Sequence, residues 1–302
     1  MIEKKVAIIG AGPAGYTLAQ ELVKEGCSIT IYEQEEEIGG AIYTGIPNFR
    51  MPKTFLKKVY DSLVESGVCF HFHTHVDKNL FQEICRSYDC VAVAIGAQVE
   101  NTFGFETGNG VCAGLSLLYD LNRKHMEEQY RQYHKAIVWG GGNVAMDCAR
   151  SLARLIPAVT IVYRRSLKEM PAHESEVRVA EKEGVTIAYL TNIKDMIRNE
   201  QGKLTGVHAV KMALGEEDAS GRASCHEVVG SDFVIDADLC VMAIGQKVDF
   251  GTLQDTLQIE TGHHTNQEGV WVLGDAYTGP KTIGRAVMEG KQVASEMLES
   301  LR

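Results

Sequence analysis

The chain contains two segments in which apolar and glycine-rich stretches follow one another in the same order. In the first, residues 5–9 (KVAII) form a short β-branched run typical of a buried parallel strand, and a glycine turn follows at 10–15. Apolar residues at helical spacing come next, and residues 28–32 (SITIY) predict a second strand that ends before Glu33. The order strand, glycine turn, helix, strand indicates a βαβ unit.

The second segment repeats this order. Residues 135–139 (KAIVW) predict a strand, residues 140–145 form a glycine turn, a helix is predicted over 145–155 and a further strand over 159–163. A chain of 302 residues has room for about two domains. We therefore predict an α/β fold with two Rossmann-like dinucleotide-binding domains.

The first glycine turn has the spacing G-x-G-x-x-G. Gly10 permits the tight turn, Gly12 lets a pyrophosphate approach the backbone, and Gly15 lets the helix pack on the strand. The helix N-terminus supplies N–H donors to phosphates. Glu33 stands about where the ribose-binding acid of this motif belongs. Dinucleotide binding is strongly favoured over a glycine-rich turn without a ligand.

The second turn has the variant spacing G-x-G-x-x-A, from Gly140 through Gly142 to Ala145, and its second strand is not followed by an acid. Tyr163 is followed instead by Arg164 and Arg165. An acid repels a 2′-phosphate, whereas a guanidinium pairs with it. The second site therefore favours NADP(H), with NAD(H) possible, and the alternative is that the arginines are surface charges.

Two dinucleotide sites in one chain indicate one tightly held flavin, FAD, and one exchanging nicotinamide nucleotide. Hydride transfer between them is the simplest chemistry that uses both, and it needs no side-chain acid. No catalytic side chain is therefore expected.

Charge and hydropathy exclude other classes. The net charge of −10 makes general nucleic-acid binding unfavourable. No apolar run approaches the roughly 20 residues of a membrane helix, and the N-terminal apolar stretch is too short for a signal peptide. We expect a cytoplasmic protein that binds neither nucleic acid nor membrane.

The eight cysteines are scattered, and no pair has the spacing C-x-x-C. This pattern fits reduced thiols, and it disfavours both disulfide reduction and an internal iron–sulfur ligand run. The electron acceptor should then lie on another chain or be a small diffusible oxidant, and we favour a partner subunit.

Further motifs occur along the chain in addition to the two βαβ units. They are GG at 39–40 with GIPNFRMPK at 45–53, VAIG at 93–96 and VMAIG at 241–245, YRR at 163–165 with MP at 170–171, and GD at 274–275 with GPKTIGRA at 279–286. With these motifs the chain resembles the two-dinucleotide-binding-domain flavoproteins, and within them the small subunit of NADPH-dependent glutamate synthase. The resemblance covers nearly the whole chain.

The resemblance implies a set of FAD contacts. Glu33 would bind the ribose, Val76 would lie near the adenine, Asp275 would bond the ribityl chain, and the turn at 282–286 would lie under the flavin ring at a helix N-terminus. The complete FAD set is Gly10, Gly12, Pro13, Ala14, Gly15, Glu33, Gln34, Gly40, Gly45, Ile46, Pro47, Val76, Ala94, Gly96, Gly274, Asp275, Thr282, Ile283 and Ala286.

The resemblance also implies a set of contacts for NADP(H), in which Gly245 would face the nucleotide across the gap between the two domains. This set is Gly140, Gly142, Asn143, Val144, Ala145, Arg164, Arg165 and Gly245.

In this family the nicotinamide domain is inserted into the FAD domain. We expect residues 1–104 and 245–302 to form the FAD-binding domain and residues 105–244 to form the NAD(P)H-binding domain. The polar run at 215–224 predicts an exposed hairpin or loop, and a last helix is predicted from about 283 to 301.

The chain departs from the family in two respects. The cysteine-rich iron–sulfur domain that begins glutamate synthase small subunits is expected to be absent, and Thr44 replaces the usual tyrosine before Gly-Ile-Pro. The leading hypothesis is an NAD(P)H-dependent flavin oxidoreductase that passes electrons to a partner subunit. The alternatives are a stand-alone reductase of a pyrimidine or quinone and a non-catalytic, nucleotide-binding regulatory subunit.

His71, His73 and His75 alternate with Phe70, Phe72 and Thr74. Alternation predicts a strand with the histidines on one face and the phenylalanines on the other. A solvated face is favoured over a metal site, and no metal is expected.

Overall fold

A computed structural model describes residues 4–217 and 222–301. The chain divides into two compact units, one made of Met1–Val99 and Gln246–Arg302 and the other of Glu100–Gly245. The chain thus crosses between the units at 99/100 and at 245/246, a few residues from the expected boundaries at 104/105 and 244/245.

The strands are β1 (Lys5–Ile9), β2 (Ser28–Tyr32), β3 (Cys69–His71), β4 (Cys90–Val93), β5 (Val99–Glu100), β6 (Val111–Ala113), β7 (Lys135–Trp139), β8 (Ala158–Val162), β9 (Thr186–Ala188), β10 (Thr191–Arg198), β11 (Leu204–Glu217), β12 (Ala223–Glu227), β13 (Phe233–Asp236), β14 (Leu239–Met242), β15 (Gln246–Lys247) and β16 (Val270–Val272). The two-residue strands β5 and β15 lie in the crossing segments.

The α-helices are α1 (Pro13–Lys24), α2 (Ala41–Gly45), α3 (Thr54–Glu65), α4 (Lys78–Ser87), α5 (Gly114–Arg123), α6 (Glu127–Tyr130), α7 (Asn143–Ala153), α8 (Glu174–Lys182), α9 (Asp275–Thr278) and α10 (Ile283–Ser300), with 3₁₀ turns at Leu167–Glu169 and Gly251–Leu253. Among the residues that the structure describes, no helix combines the length and the apolarity that a membrane crossing requires.

The first unit is built on a parallel five-stranded sheet in the order β16-β4-β1-β2-β3. Alternate residues of β1 enter two separate cores. Val6 and Ile8 pack on the side of α1 and α10, whereas Ala7 and Ile9 pack on the other side. Because both faces of the strand are buried, its sequence is a continuous apolar run rather than an alternating one.

The second unit repeats this topology with a parallel sheet in the order β6-β14-β7-β8-β9. This confirms the predicted α/β fold with two Rossmann-like domains. The helix predicted from residue 145 begins earlier, at Asn143, directly after Gly142, just as α1 begins directly after Gly12.

The sequence does not predict the antiparallel layer of the second unit. Its centre is β11, which pairs with β10, β12 and β13. The polar run at 215–224 includes the end of β11 and the start of β12, and its central residues 218–221 lie outside the described residues.

The packing of α7 against α8 involves a network of ion pairs. Arg150, with 9% of its side chain exposed, contacts Glu176 at 2.6 Å and Glu183 at 3.0 Å, and Arg154 contacts Glu183 at 2.9 Å. Hydrogen bonds from Arg154 and Arg150 lower the pKa of Glu183 to about 2. The ionised carboxylate is therefore favoured in the folded state.

This network predicts a pH-dependent contribution to stability. Since the pKa of Glu183 falls from 4.5 to about 2 on folding, its contribution is complete above pH 4.5 and is lost as the pH falls toward 2. The loss of unfolding free energy caused by Glu183→Gln should therefore be largest near neutral pH and should shrink in acid. Denaturant unfolding from pH 3 to pH 7, followed by circular dichroism, measures it.

The matched control is Glu174→Gln, which removes an exposed pair between Glu174 and Arg178 on α8. Its effect should stay within about 0.5 kcal/mol at every pH, because exposed pairs contribute little. A Glu183→Gln effect that is equally constant with pH would contradict the assignment.

Candidate functional site

Two of the glycines in the first turn are required by packing. Gly10 follows β1 with φ +104°, and a Cβ there would lie 2.5 Å from the carbonyl oxygen of Ala94, the residue after β4. A Cβ on Gly15 would overlap the carbonyl oxygen of Gly10. These two positions let α1 pack directly on the end of the sheet.

At position 12, neither the backbone conformation nor the packing requires a glycine. Its φ is −72°, and a Cβ would find its nearest neighbour, the Cα of Gly40, at 3.9 Å. Glycine at this position leaves the surface beside the N-terminus of α1 open. The helix begins there with Pro13, and Gly12 offers no side-chain cap for the first N–H groups.

Glu33 holds the turn from the end of β2. Glu33 is only 6% exposed, and its carboxylate accepts hydrogen bonds from the backbone N–H of Ala11 at 2.7 Å and of Glu35 at 2.9 Å. Burial raises the pKa of Glu33, and the N–H groups of Glu35 and Ala11 oppose that rise. Each carboxylate oxygen has a second lone pair with which to accept a further hydrogen bond.

Two other predicted segments converge on this turn. A Cβ on Gly40 would lie 3.0 Å from the Cα of Gly12, and a Cβ on Gly274 would lie 2.8 Å from the Cβ of Ala14. Gly39 donates to the carbonyl of Ala11 at 2.9 Å. The turns at 10–15, 39–40 and 274 thus form one cluster, in which Ala11 and Gly39 are residues that the sequence motif did not single out as contacts.

The C-terminal segment supplies a second helix start. Asp275 accepts a hydrogen bond from the N–H of Lys281 at 3.1 Å, and burial raises its pKa. Thr282 caps α10 by accepting from the N–H of Arg285 at 3.2 Å, and Ile283 and Ala286 lie in the first turn of the helix.

Glu289 is a residue near the site that sequence reasoning missed. It is 2% exposed, accepts the N–H of Gly274 at 3.0 Å and lies 3.4 Å from the Nδ1 of His263. Burial raises its pKa. A glutamate in an amphipathic helix usually lies at the surface, so no sequence signal marked it.

Two further predicted FAD residues, Val76 and Gln34, have other neighbours. Val76 is buried with Ile9 and Val93, on the face of the sheet opposite the one that contacts Ala14. Gln34 is exposed, with its side-chain oxygen 3.4 Å from the Nδ1 of His75. The roles assigned to these two residues stay predictions.

The remaining FAD candidates lie in short connecting segments. Gly45 ends α2, and the carbonyl of Ile46, just before Pro47, accepts a hydrogen bond from the Nζ of Lys53. Gly96 has φ +74° and open space beside it, since no atom lies within 4 Å of a Cβ built there.

The structure corrects the prediction of a regular strand through the histidines at 71, 73 and 75. Regular strand structure ends at His71, because His73 has a left-handed backbone with φ +53°. Phe70 and Phe72 still stack on one another at 5.4 Å and pack against the core, while the histidines are exposed. Within residues 4–217 and 222–301, no group of three or more His, Cys, Asp or Glu is arranged to hold a metal ion.

The second glycine turn has the same construction as the first. Gly140 follows β7 with φ +144°, and a Cβ there would overlap the carbonyl oxygen of Ala243, the residue after β14. The N–H of Ala243 bonds the carbonyl of Trp139 at 2.8 Å, just as the N–H of Ala94 bonds Ile9 at 2.8 Å.

The start of α7 is also open. Gly142 has φ −91°, and a Cβ would meet no atom within 4 Å. The side-chain oxygen of Asn143 is buried without a hydrogen-bond donor among the described residues. Val144 and Ala145 complete the first turn, and Gly245, with φ +106°, follows β14 in this same unit.

The two units differ at the residue that follows the second strand. Tyr163 occupies the place that Glu33 has in the first unit, and a Cβ on Gly141 would lie 2.5 Å from the tyrosine ring. The Tyr163 hydroxyl donates to the carbonyl of Glu169 at 2.8 Å. Arg164 is exposed, and the Nε of Arg165 donates to the carbonyl of Ala223 at 2.7 Å. An uncharged ring and two guanidiniums therefore replace the carboxylate.

The cysteines do not form disulfides, and the buried ones are poor nucleophiles. All eight are free thiols. Burial raises the pKa of Cys90 to about 11 and of Cys240 to about 12, and it raises that of Cys148 well above its usual value. Since the thiolate is the reactive form, these side chains act as core residues.

With this geometry, the chain belongs to the pyridine nucleotide-disulphide oxidoreductase family, whose sequence model matches residues 4–290. This confirms the expected enzyme class, a flavin- and pyridine nucleotide-dependent oxidoreductase. The expected similarity to glutamate synthase small chains is also found.

Three curated relatives illustrate the similarity. The chain is 37% identical, over 99% of its length, to the beta subunit of the NADP(+)-dependent formate dehydrogenase of Moorella thermoacetica. It is 39% identical, over 93% of its length, to the beta subunit of the NADPH-Fe(3+) oxidoreductase of Geobacter sulfurreducens. The match to the Escherichia coli glutamate synthase [NADPH] small chain is 29% over 99% of this chain and 69% of that protein. The chain spans about half the length of the first two, 44% and 47%.

Solved structures share the fold. FprA from Mycobacterium tuberculosis, in complex with NADPH, superimposes with a TM-score of 0.85 at 19% identity, over 99% of this chain and 84% of that one. Thioredoxin reductase from T. acidophilum superimposes with a TM-score of 0.72 at 16% identity over the whole of both chains.

Two glycines of the second turn, Gly140 and Gly142, yield a paired prediction. Gly140→Ala should lower the free energy of unfolding by about 2–5 kcal/mol, because it combines a strained φ with a clash against Ala243. Gly142→Ala should leave stability within about 0.5 kcal/mol but weaken NADP⁺ binding about 10-fold or more, because its methyl group enters the open surface.

Thermal unfolding and calorimetric titration with NADP⁺ measure the two effects. If Gly142→Ala bound NADP⁺ as tightly as the unaltered protein, the open surface at α7 would not be the nucleotide site.

Proposed function

We propose that this chain is an NADPH-oxidising flavoprotein whose electrons pass to an acceptor on a partner subunit. In this proposal the unit that contains β1 holds FAD, and the unit that contains β7 holds NADP(H). The observation that carries it is the pair Gly12 and Gly142. Each is a glycine that neither backbone conformation nor packing requires, and each leaves the start of a helix open to a phosphate.

The first unit fits FAD. The open N-terminus of α1 suits a pyrophosphate, and the buried carboxylate of Glu33 retains acceptor capacity for ribose hydroxyls. Asp275, in the same unit, would bond the ribityl chain. The N-terminus of α10, where Thr282 is the N-cap, would place backbone N–H groups near negative charge on the reduced ring.

The second unit fits NADP(H) better than NAD(H). A ribose-binding acid would repel a 2′-phosphate, and here its place is taken by the neutral Tyr163. Arg164 and Arg165 follow directly, and guanidinium groups pair well with phosphate. The buried oxygen of Asn143, which lacks a donor among the described residues, would accept one from the nucleotide.

In this proposal the residues of the chain bind and orient the two coenzymes. When bound, the two coenzymes supply the redox chemistry, a hydride from the nicotinamide to the flavin and electrons from the flavin onward. The helix N-termini hold the phosphates, and the glycine turns fix the backbone around them. No side-chain acid or base is needed in this proposal.

The acceptor is proposed to lie on a partner subunit. The relatives from Moorella and Geobacter are named beta subunits, and the Escherichia coli relative is named a small chain. The buried cysteines with raised pKa values make internal thiol exchange a weaker alternative.

An anaerobic titration tests the function. The purified chain should contain FAD, and NADPH should bleach the visible flavin absorbance in a rapid-mixing experiment, with NADH much slower. Steady NADPH oxidation should require the partner subunit. A correctly folded chain with no flavin would contradict the proposal, as would bound flavin that NADPH does not reduce.

The two alternatives give other results in the same assay. Sustained turnover of a quinone or pyrimidine by the chain alone would identify a stand-alone reductase and contradict partner dependence. Nucleotide binding without flavin reduction would identify a regulatory subunit.

A further inference from the structure

Glu289 is a buried carboxyl group of the first unit to which the proposed function gives no role. It lies on α10 and is 2% exposed, and its Oε2 is buried without a hydrogen-bond partner among the described residues. Burial raises the pKa of this carboxyl, against the opposing effects of His263 and of the N–H of Gly274. Burying such a group is costly, and an apolar side chain of similar size would avoid the cost. Local costs of this kind are expected at functional sites.

The Oε1 of Glu289 connects α10 to the turn that follows β16. It accepts the backbone N–H of Gly274 at 3.0 Å. Gly274 has φ +67°, and a Cβ there would lie 2.8 Å from the Cβ of Ala14, so the turn packs tightly against the first turn of α1. Asp275 follows directly and begins α9. One buried carboxyl oxygen therefore holds the backbone from which Asp275 extends.

The same carboxyl is fixed by two further contacts. The next residue, Gly290, lies against α1, since a Cβ there would lie 2.7 Å from the carbonyl oxygen of Ala14. The Nδ1 of His263 lies 3.4 Å from the Oε1 of Glu289 and 3.1 Å from the carbonyl oxygen of Val272. Because a carbonyl oxygen only accepts, Nδ1 carries the proton. The position of the glutamate is thus set by α1 and by the imidazole together.

Asp275 retains an oxygen for a ligand. Its Oδ1 accepts the N–H of Lys281 at 3.1 Å, and its Oδ2 has no hydrogen-bond partner in the part of the chain that the structure describes. The contact between Gly274 and Ala14 brings this aspartate close to the start of α1, where a pyrophosphate is proposed to bind. The available carboxylate oxygen can accept a hydrogen bond from a hydroxyl group of the same coenzyme.

We propose that Glu289 is a positioning residue for FAD, which holds the turn at Gly274 so that Asp275 presents a carboxylate oxygen to the ribityl hydroxyls of the coenzyme. The inference rests on the proposed binding of FAD in the first unit. Glu289 does not contact the coenzyme in this role, because its side chain is only 1% exposed. It acts as a hydrogen-bond acceptor for the N–H of Gly274.

The dissociation constant of FAD tests this role without any turnover. It is measured by diluting the flavin-loaded full chain and recording the fluorescence of the released FAD. Glu289→Ala should weaken FAD binding about 10- to 100-fold, because the N–H of Gly274 loses its acceptor and the turn is no longer held. Glu289→Gln keeps an acceptor oxygen at the same position along the side chain, so its dissociation constant should stay within about 3-fold of that of the unaltered protein.

A double-mutant cycle identifies the residue through which Glu289 acts. Asp275→Ala should itself weaken FAD binding, because the bond to the ribityl chain is lost. In the Asp275→Ala background, Glu289→Ala should add less than about 2-fold to the loss, since there is no longer a carboxylate to position. Losses that multiply independently would show that Glu289 does not act through Asp275.

Two substitutions on α10 are the matched controls. Met297→Ala removes a fully buried side chain, and Glu296→Ala removes a glutamate that pairs with Gln292. The first should lower thermal stability, but neither should change the affinity for FAD by more than about 2-fold, because both lie away from the turn. Circular dichroism should show each variant folded. If Glu289→Ala does not fold, Glu289→Asp, whose carboxyl is one methylene shorter, should show the same weakening in a milder form.

The outcomes separate this inference from the proposed function. If Glu289→Ala lowers stability as Met297→Ala does but binds FAD normally, the glutamate is only structural, and the inference is wrong while the FAD assignment stands. If Glu289→Gln loses FAD as strongly as Glu289→Ala, the hydrogen bond to Gly274 is not the cause. If Asp275→Ala binds FAD normally, the role of that aspartate is wrong and the inference fails. A folded chain that contains no FAD would contradict the proposed function itself.

Discussion

In both units a glycine at the end of the central strand lies against the carbonyl of the residue that follows the neighbouring strand. Gly10 meets Ala94 in this way, and Gly140 meets Ala243. The contact is possible only without a side chain, and it fixes where the following helix starts. The helix N-terminus then lies where neighbouring parallel strands end, the position at which folds of this class bind nucleotides. Both proposed sites depend on this contact.

On this shared frame, one position gives the two sites different electrostatics. Glu33 in the first unit is a buried carboxylate that holds the turn through the N–H of Ala11. In the second unit the ring of Tyr163 packs over Gly141, and the arginines follow. A single substitution of acid by aromatic ring thus removes a negative charge and leaves an environment suited to an extra phosphate.

Much of the frame could be predicted because its signals are local. Strands such as β1 and β7 are buried on both faces and appear as short apolar runs, and the glycine spacing identifies the turns between strand and helix. The antiparallel layer around β11 could not be predicted in the same way, because its strands are only partly buried and include register shifts, one of them between Leu214 and Glu217. A register shift breaks the two-residue alternation by which a strand is recognised in a sequence.

Other misses have specific causes. The strand predicted through the histidines ends early because His73 adopts a left-handed conformation. Glu289 contacts Gly274 from α10, whose sequence is that of an amphipathic helix. Its burial depends on the packing of α10 against the turn, which the sequence does not show. The roles of Val76 and Gln34 came from the resemblance alone, and they stay predictions.

The most direct test of the central claim is a crystal structure of the chain with both coenzymes bound. We expect one FAD with its pyrophosphate at the start of α1, and one NADP⁺ with its pyrophosphate at the start of α7 and its 2′-phosphate beside Arg164. A structure with a single nucleotide site, or with NADP⁺ at the α1 turn and flavin at the α7 turn, would contradict the account.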